Sequence, residues 1–264
     1  MIDFQFNNET AIVTGAAGGI GSAVCRGLVA SGARVALVDI NEDALGLLAA
    51  ELPADRVMTA VADVREPAAV KAVVDGVCDR FGSVEMLFNN AGTGSHTVPE
   101  DLGLDEWSEV LRLNLTGYFL MAQAVGRQMI AKNIPGRIVN TSSTVGGSAM
   151  GRGNFVYSIS KTGVLALTKE LALEWGHFGI RVNAIQPSQV DSPAMRKWME
   201  EVSLDGETLA HKFLRGVPMG RLVTAQDMVG PVCFLLSSAS AMVTGVALPV
   251  DGGNLVCNVA ATVR

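Results

Sequence analysis

The stretch Thr10-Ala11-Ile12-Val13-Thr14-Gly15-Ala16-Ala17-Gly18-Gly19-Ile20-Gly21 decides the fold. Its first five residues form a short apolar, β-rich run that reads as a buried strand. Glycines follow at once. Beyond them Ile20, Ala23, Val24, Gly27 and Leu28 recur at the i, i+3, i+4, i+7, i+8 spacing of an amphipathic helix. Glycine lets the backbone turn tightly and come close to a bound group, while the free amides and positive dipole end of the helix suit an anion such as a pyrophosphate. A glycine loop alone also serves as a plain strand-to-helix turn, so a second signal is needed.

Asp39 supplies it. The residue ends a second β-rich run, Arg34–Asp39, and stands 18 positions beyond Gly21 (39 minus 21). An acid there accepts hydrogen bonds from ribose hydroxyls and repels a 2′-phosphate, which favours NAD over NADP. The competing role, capping a helix ahead of Asn41 and Glu42, is compatible with it.

Working outward, further strand candidates are Val57–Val61, Met86–Asn89, Arg137–Thr141, Arg181–Gln186 and Ala247–Val250, separated by helical patterns. The strands lack in/out alternation, so both faces should be covered, as in a parallel sheet wound with helices on each side. The expected fold is therefore α/β, a doubly wound Rossmann fold with a seven-stranded parallel sheet. No linker, charge block or repeat divides the chain, which reads as one domain over 1–264. Ser188–Gly220, rich in Met, Trp and charge, interrupts the alternation and is expected to form two short helices as a lid (188–220) over the carboxyl ends of the strands.

Composition excludes several classes. Of 264 residues 49% are hydrophobic and only 17% charged, against about 25% charged in an average globular chain, and 29 are glycine without a Gly-X-Y period. The chain is neither disordered nor collagen-like. A net charge of -6 provides no basic field, so nucleic acid is not an expected partner. Cys25, Cys78, Cys233 and Cys257 are too dispersed for a disulfide frame, and with His96, His177 and His211 they form no metal-ligand spacing, so no metal is expected. The start lacks a secretory signal, and a cytoplasmic location is expected. Val229–Val250 carries no charge, yet Pro231, the serines at 237, 238 and 240, Gly245 and Pro249 break it into a buried helix, a turn and a short core strand rather than a membrane span.

The sequence resembles the short-chain dehydrogenase/reductase family over nearly its whole length. The matches, in order, are Gly15, Gly19 and Gly21; Asp63-Val64; Asn89-Asn90-Ala91-Gly92; Asn114; Ser142-Ser143; Tyr157-x-x-x-Lys161; Arg181-Val182-Asn183-Ala184; and Val250-Asp251-Gly252-Gly253. The resemblance implies a catalytic set of Asn114, Ser143, Tyr157 and Lys161, with Ser143 preferred to Ser142. It implies cofactor contacts from Gly15, Gly19, Ile20, Gly21, Asp39, Ile40, Asp63, Val64, Asn90, Ala91, Gly92, Tyr157, Lys161, Pro187, Val190 and Ser192. Asn114 is implied to hold a water that relays protons towards the lysine.

The residues carry part of this unaided. Tyr157 and Lys161, four apart on a helical pattern over Phe155–Trp175, share a face. Tyrosine holds its proton to about pH 10. A nearby ammonium, joined by the positive nicotinamide of the oxidised cofactor, is expected to lower that pKa and make Tyr157 a general acid/base at neutral pH. A serine hydroxyl can hydrogen-bond the substrate oxygen. Asn114 and Gly117 within a helical stretch from Asp105 to Lys132 suggest a kink.

The expected activity is NAD-dependent interconversion of a secondary alcohol (sugar, polyol, hydroxy ketone or hydroxy acid) and its ketone. Candidate substrate residues, besides Ser143 and Tyr157, are His96, Met150, Arg152, Met195 and Trp198, with Gly94, Ser95, Ser148, Asn154 and Met199 nearby. The alternatives are a non-catalytic, redox-responsive NAD-binding regulator and a related ene-reductase or epimerase. The resemblance implies a homotetramer packed through Asp105–Lys132 and Phe155–Trp175.

Overall fold

The computed structural model describes residues 4–149, 151, 153–192, 195, 214 and 216–257. In chain order the main elements are β1 (Thr10–Thr14), α1 (Gly19–Ala30), β2 (Arg34–Asp39), α2 (Glu42–Ala50), β3 (Val57–Val61), α3 (Pro67–Phe81) and β4 (Met86–Asn89). Then come α4 (Leu104–Leu111), a π turn (Arg112–Thr116), α5 (Gly117–Ala131), β5 (Arg137–Thr141), the short α6 (Thr144–Gly147), α7 (Phe155–Trp175), β6 (Arg181–Pro187), α8 (Val229–Leu236) and β7 (Ala247–Val250). All seven strands join one parallel sheet in the order β3-β2-β1-β4-β5-β6-β7. The doubly wound arrangement expected from the sequence is the one observed.

Successive side chains of a strand point to opposite faces, and here both faces are dry. Ala11 and Val13 of β1, Val35 and Leu37 of β2, and Met86 and Phe88 of β4 pack into one core with Val24 and Leu28 of α1 and Val232 and Leu236 of α8. The intervening Ile12, Ala36, Val38 and Leu87 enter the other core, with Val73 and Val77 of α3 and Met121 and Val125 of α5. This double burial is why the central strands read as continuous apolar runs. The edges differ. In β3 only Val57 is buried, the rest alternating between partly buried and exposed, and β7, expected as a core strand, is the other edge and is only partly buried. It has a neighbour on one side alone, so it needs less apolar cover than its composition suggested.

The helical stretch expected over Asp105–Lys132 is interrupted at the predicted place. Residues 112–116 form a π turn between α4 and α5. Gly117 follows because a Cβ there would lie 2.9 Å from Val64 Cγ2, so α5 approaches the loop after β3 too closely for a side chain. Among the described residues no helix is long and apolar enough to cross a membrane. The uncharged 229–250 stretch becomes α8, a 3-10 turn at Ser238–Ser240 and β7. The two expected lid helices fall largely outside the described residues. The ends of that segment are tied by a bridge between Val190 and Val223.

Strand order reverses between β1 and β4, opening a crevice at their carboxyl ends. A cavity of about 490 Å³ occupies this position, bordered by Ile20 of α1, Asn90 and Gly92 after β4, Ser143 after β5, Tyr157 and Lys161 of α7, and Ser188–Val190 after β6.

Candidate active site

The glycine loop builds one end of the cavity. Gly15 has φ +63, in the region that favours glycine, and a Cβ there would sit 2.9 Å from Ala91 Cα. A Cβ on Gly21 would lie 2.0 Å from the Gly15 carbonyl oxygen, so the loop folds directly onto the first turn of α1. A Cβ on Gly19 would meet nothing within 4 Å. The helix itself begins at Gly18 with no side-chain cap and no acidic residue in its first turn. Uncapped amides at a helix start, with open space before them, suit a phosphate group.

Asp39 faces this loop. Its Oδ2 accepts a hydrogen bond from Ala17 N at 3.0 Å and its Oδ1 one from Asn41 N at 3.1 Å. The cap of α2 is Asn41, whose side chain accepts from Ala44 N, so the capping role open to Asp39 in the sequence belongs to its neighbour. Ile40 is 68% exposed beside it. Asp63 does not cap α3, whose N-cap is Glu66. It is gripped by Arg65, whose Nε lies 2.9 Å from both carboxylate oxygens, and that guanidinium holds the carboxyl below the usual range. Arg65 also pairs with Glu109. Val64 is buried against Gly117.

Asn90 ties the two central strands together at the crevice. Its backbone N–H donates to Thr14 Oγ1 at 2.9 Å, and its Nδ2 donates to the carbonyls of Thr14 and Gly15. Ala91 N also donates to Thr14 Oγ1, at 3.2 Å. A Cβ on Gly92 would lie 3.1 Å from Asn114 Oδ1 and 3.6 Å from Lys161 Nζ, so this glycine lets the loop after β4 pack closely on both side chains.

The two serines after β5 have different partners. Ser142 Oγ donates to the Lys161 carbonyl at 2.8 Å and lies beneath Gly146, holding α6 against α7. Ser143 borders the cavity, accepts from Val145 N at 3.4 Å as the N-cap of α6, and has Pro187 O at 3.5 Å, a long contact that leaves its hydroxyl largely available. Tyr157, across the cavity, feels Ser143 as a hydrogen-bond partner that lowers its pKa, although burial dominates and pushes it up.

Lys161 is only 3% exposed, and its Nζ donates to Thr141 O at 2.8 Å and reaches Tyr118 Oη at 3.5 Å. Burial pulls its pKa down to about 7. Burial therefore opposes the charged form of both Lys161 and Tyr157. Among the described residues no carboxylate offsets the burial of either group, and desolvation favours the neutral form of each.

Asn114 is wholly buried. Its Oδ1 accepts from Thr93 N at 2.9 Å, and its Nδ2 donates to Thr93 O at 2.9 Å and Ser160 Oγ at 3.0 Å. Both amide hydrogens are thus engaged within the protein.

The far wall is formed by Thr93, Gly94, His96 and Asn154 on one side and Ser188, Gln189, Val190, Ser192 and Met195 on the other. Pro187 ends β6 against Ser143. Ser192 Oγ accepts from Met195 N at 3.1 Å. Ser95, a candidate for this wall, turns away: its hydroxyl and that of Thr97 both donate to Glu106 of α4, at 2.8 Å for each to its nearer oxygen. Gly153 packs against the His96 carbonyl, with φ +75 and no room for a Cβ. Ser148 donates to Thr144 O at 3.0 Å instead of facing the cavity. Met150, Arg152, Trp198 and Met199 lie outside the described residues. Among those described, no group of three His, Cys, Asp or Glu could hold a metal ion.

Three contributors escaped the sequence reading: Thr14, whose hydroxyl gathers two amides; Thr141, whose carbonyl holds Lys161; and Tyr118. Thr14 was signalled by its place between strand and glycine loop. Tyr118, one residue past Gly117, carried no signal separable from an apolar helix face.

The fold and this site define a class, the α/β oxidoreductases of Rossmann type. Residues 15–254 match the family model described as enoyl-(acyl carrier protein) reductase. The chain is 38% identical over 253 residues to D-threitol dehydrogenase of Mycolicibacterium smegmatis, covering 95% of this chain and 94% of that one. It is 34% identical over 252 residues to NAD-dependent glycerol dehydrogenase of Listeria innocua, with 95% of each covered. Among solved structures it is similar to levodione reductase (TM-score 0.90, 32% identity, 96% of this chain and 100% of that one) and to NAD+-bound xylitol dehydrogenase (TM-score 0.88, 36%, 94% and 100%). The chain belongs to the short-chain dehydrogenase/reductase family.

Proposed function

We propose that this protein oxidises a secondary hydroxyl of a small polyol to a ketone with NAD, reversibly. The observation that carries this is the meeting of Ser143, Tyr157 and Lys161 on one cavity beside an uncapped helix start and Asp39. The polyol class is supported by relatives named for threitol, glycerol and xylitol, and by a cavity wall of Thr93, Asn154, Ser188, Gln189 and Ser192 that offers hydrogen bonds to further hydroxyls.

The residues fit the cofactor: the open space at Gly19 would admit its pyrophosphate, the bare amides of α1 would donate hydrogen bonds to it, and Asp39 would accept hydrogen bonds from its adenosine ribose hydroxyls and disfavour a 2′-phosphate. When bound, the nicotinamide supplies a hydride acceptor. Ser143 holds the substrate oxygen, Tyr157 takes the hydroxyl proton as a phenolate, and Lys161 stabilises that phenolate whenever it is charged. Positive charge in the cleft is needed to offset the burial of Tyr157. We assign the whole chain to one domain.

Purified protein incubated with NAD and a panel of threitol, glycerol, xylitol and 2,3-butanediol should produce NADH with at least one. Tyr157→Phe should lower kcat by about 10²–10⁴-fold with NAD binding intact. Turnover at the normal rate in that variant would remove Tyr157 from the mechanism. Activity confined to an enoyl thioester would replace the polyol reading.

A further inference from the structure

We propose that Tyr118 is a positioning residue for Lys161, its buried hydroxyl accepting a hydrogen bond from the lysine ammonium and holding it in place beside Tyr157. This rests on the reading above, in which Lys161 supports Tyr157.

Tyr118 is 1% exposed, and its hydroxyl stands at the junction of α5, β5 and α7. That hydroxyl stands 3.4 Å from Thr141 O and 3.5 Å from Lys161 Nζ, both at the long limit of hydrogen bonding. Lys161 Nζ donates to the same carbonyl at 2.8 Å, so one main-chain oxygen gathers both side chains. The nitrogen also lies 5.1 Å from the centre of the Tyr118 ring and 5.7 Å from that of Tyr157. Both distances are within the reach of cation–π attraction. Lys161 is thus placed between two tyrosines, of which the reaction uses one.

The surroundings explain why a second hydroxyl matters. The titratable groups facing Lys161 are Tyr157 from its own helix and Tyr118 from α5. β5 presents the Thr141 carbonyl, and the π turn and the loop after β4 bring Asn114 and Gly92, none of which titrates. Among the described residues no carboxylate faces this ammonium, which then depends on such neutral acceptors, and burial already draws its pKa to about 7 with them present. Removing one acceptor disfavours the charged form further. The ammonium is then lost at lower pH, its support for the phenolate goes with it, and Tyr157 keeps its proton to higher pH.

Tyr118→Phe retains the ring and removes the hydroxyl alone. The rising limb of kcat/KM against pH for polyol oxidation should move upward by about one pH unit, with about tenfold less activity at neutral pH. Activity should return towards the wild-type plateau at high pH, and NAD affinity and Tm should be unchanged. The Lys161 titration itself can be followed by NMR of protein labelled with ¹³C-lysine, the signal assigned with Lys161→Met, and its midpoint should fall in Tyr118→Phe. Superimposable pH profiles and titrations would overturn the proposal, as would an equal loss at every pH accompanied by a lower Tm, which marks a packing role. A wild-type protein that oxidises no polyol overturns the functional reading instead, and the NMR titration then still decides whether Tyr118 holds Lys161.

Discussion

Asp39 shows how one residue joins structure to choice of cofactor. Its carboxylate binds the Ala17 amide and so shapes the glycine loop, while remaining accessible at the end of β2. Hydrogen bonds to a charged group contribute about 1.5–3 kcal/mol. Asp39→Ala should therefore raise the KM for NAD by about 10- to 100-fold and narrow the preference over NADP, since the repelling charge is gone. Steady-state kinetics with both cofactors checks this, and an unchanged NAD/NADP ratio would remove Asp39 from cofactor selection. Its position was legible in the sequence because strand ends and glycine turns are local patterns. The division of labour between Ser142 and Ser143 was not legible, because it depends on the Lys161 carbonyl 19 residues away.

At the scale of elements, the contact of α6 with α7 fixes how far Ser143 stands from Tyr157. Gly146 makes the contact possible: a Cβ there would lie 2.6 Å from Ser142 Oγ and 2.8 Å from the Lys161 carbonyl oxygen. The obstacle on the α7 side is backbone, which no rotamer change relieves. Gly146→Ala should destabilise the protein by about 1–3 kcal/mol in urea unfolding. Because a displacement of about 1 Å near reacting groups costs up to 10²-fold, kcat should fall more steeply than NAD affinity. A fully active Gly146→Ala would show that the two helices have slack. The π turn belongs to this scale too. Asn114 and Gly117 betrayed a kink, but its form follows from Asn114 turning inward to Thr93 and Ser160 and from α5 closing on Val64.

At the scale of the whole molecule, large apolar side chains also stand outside the two cores. Phe119, Phe155, Ile159 and Leu173 lie exposed on α5 and α7, with Leu104 on α4. Trp107 of α4 stacks obliquely on Phe155, ring centres 6.2 Å apart, which links the outer faces of two helices. An apolar surface of this extent suits burial against further copies of the chain. Sedimentation should show a homotetramer at micromolar concentration, and Phe155→Glu with Ile159→Arg should shift it to smaller species. A monomeric wild type would sink this expectation.

The sequence by itself determined the order and direction of the elements, the glycine turn and the acid at the end of β2. Periodicity and turn chemistry act over a few residues, and a strand that must be apolar on both faces declares a covered parallel sheet. Tertiary structure alone decided which atoms meet in the crevice. Tyr118 reaches Lys161 across 43 residues, Asn114 reaches Ser160 across 46, and Asn90 reaches Thr14 across 76. It also set the desolvation of Tyr157 and Lys161, because burial depends on everything packed around a group and not on its neighbours in the chain.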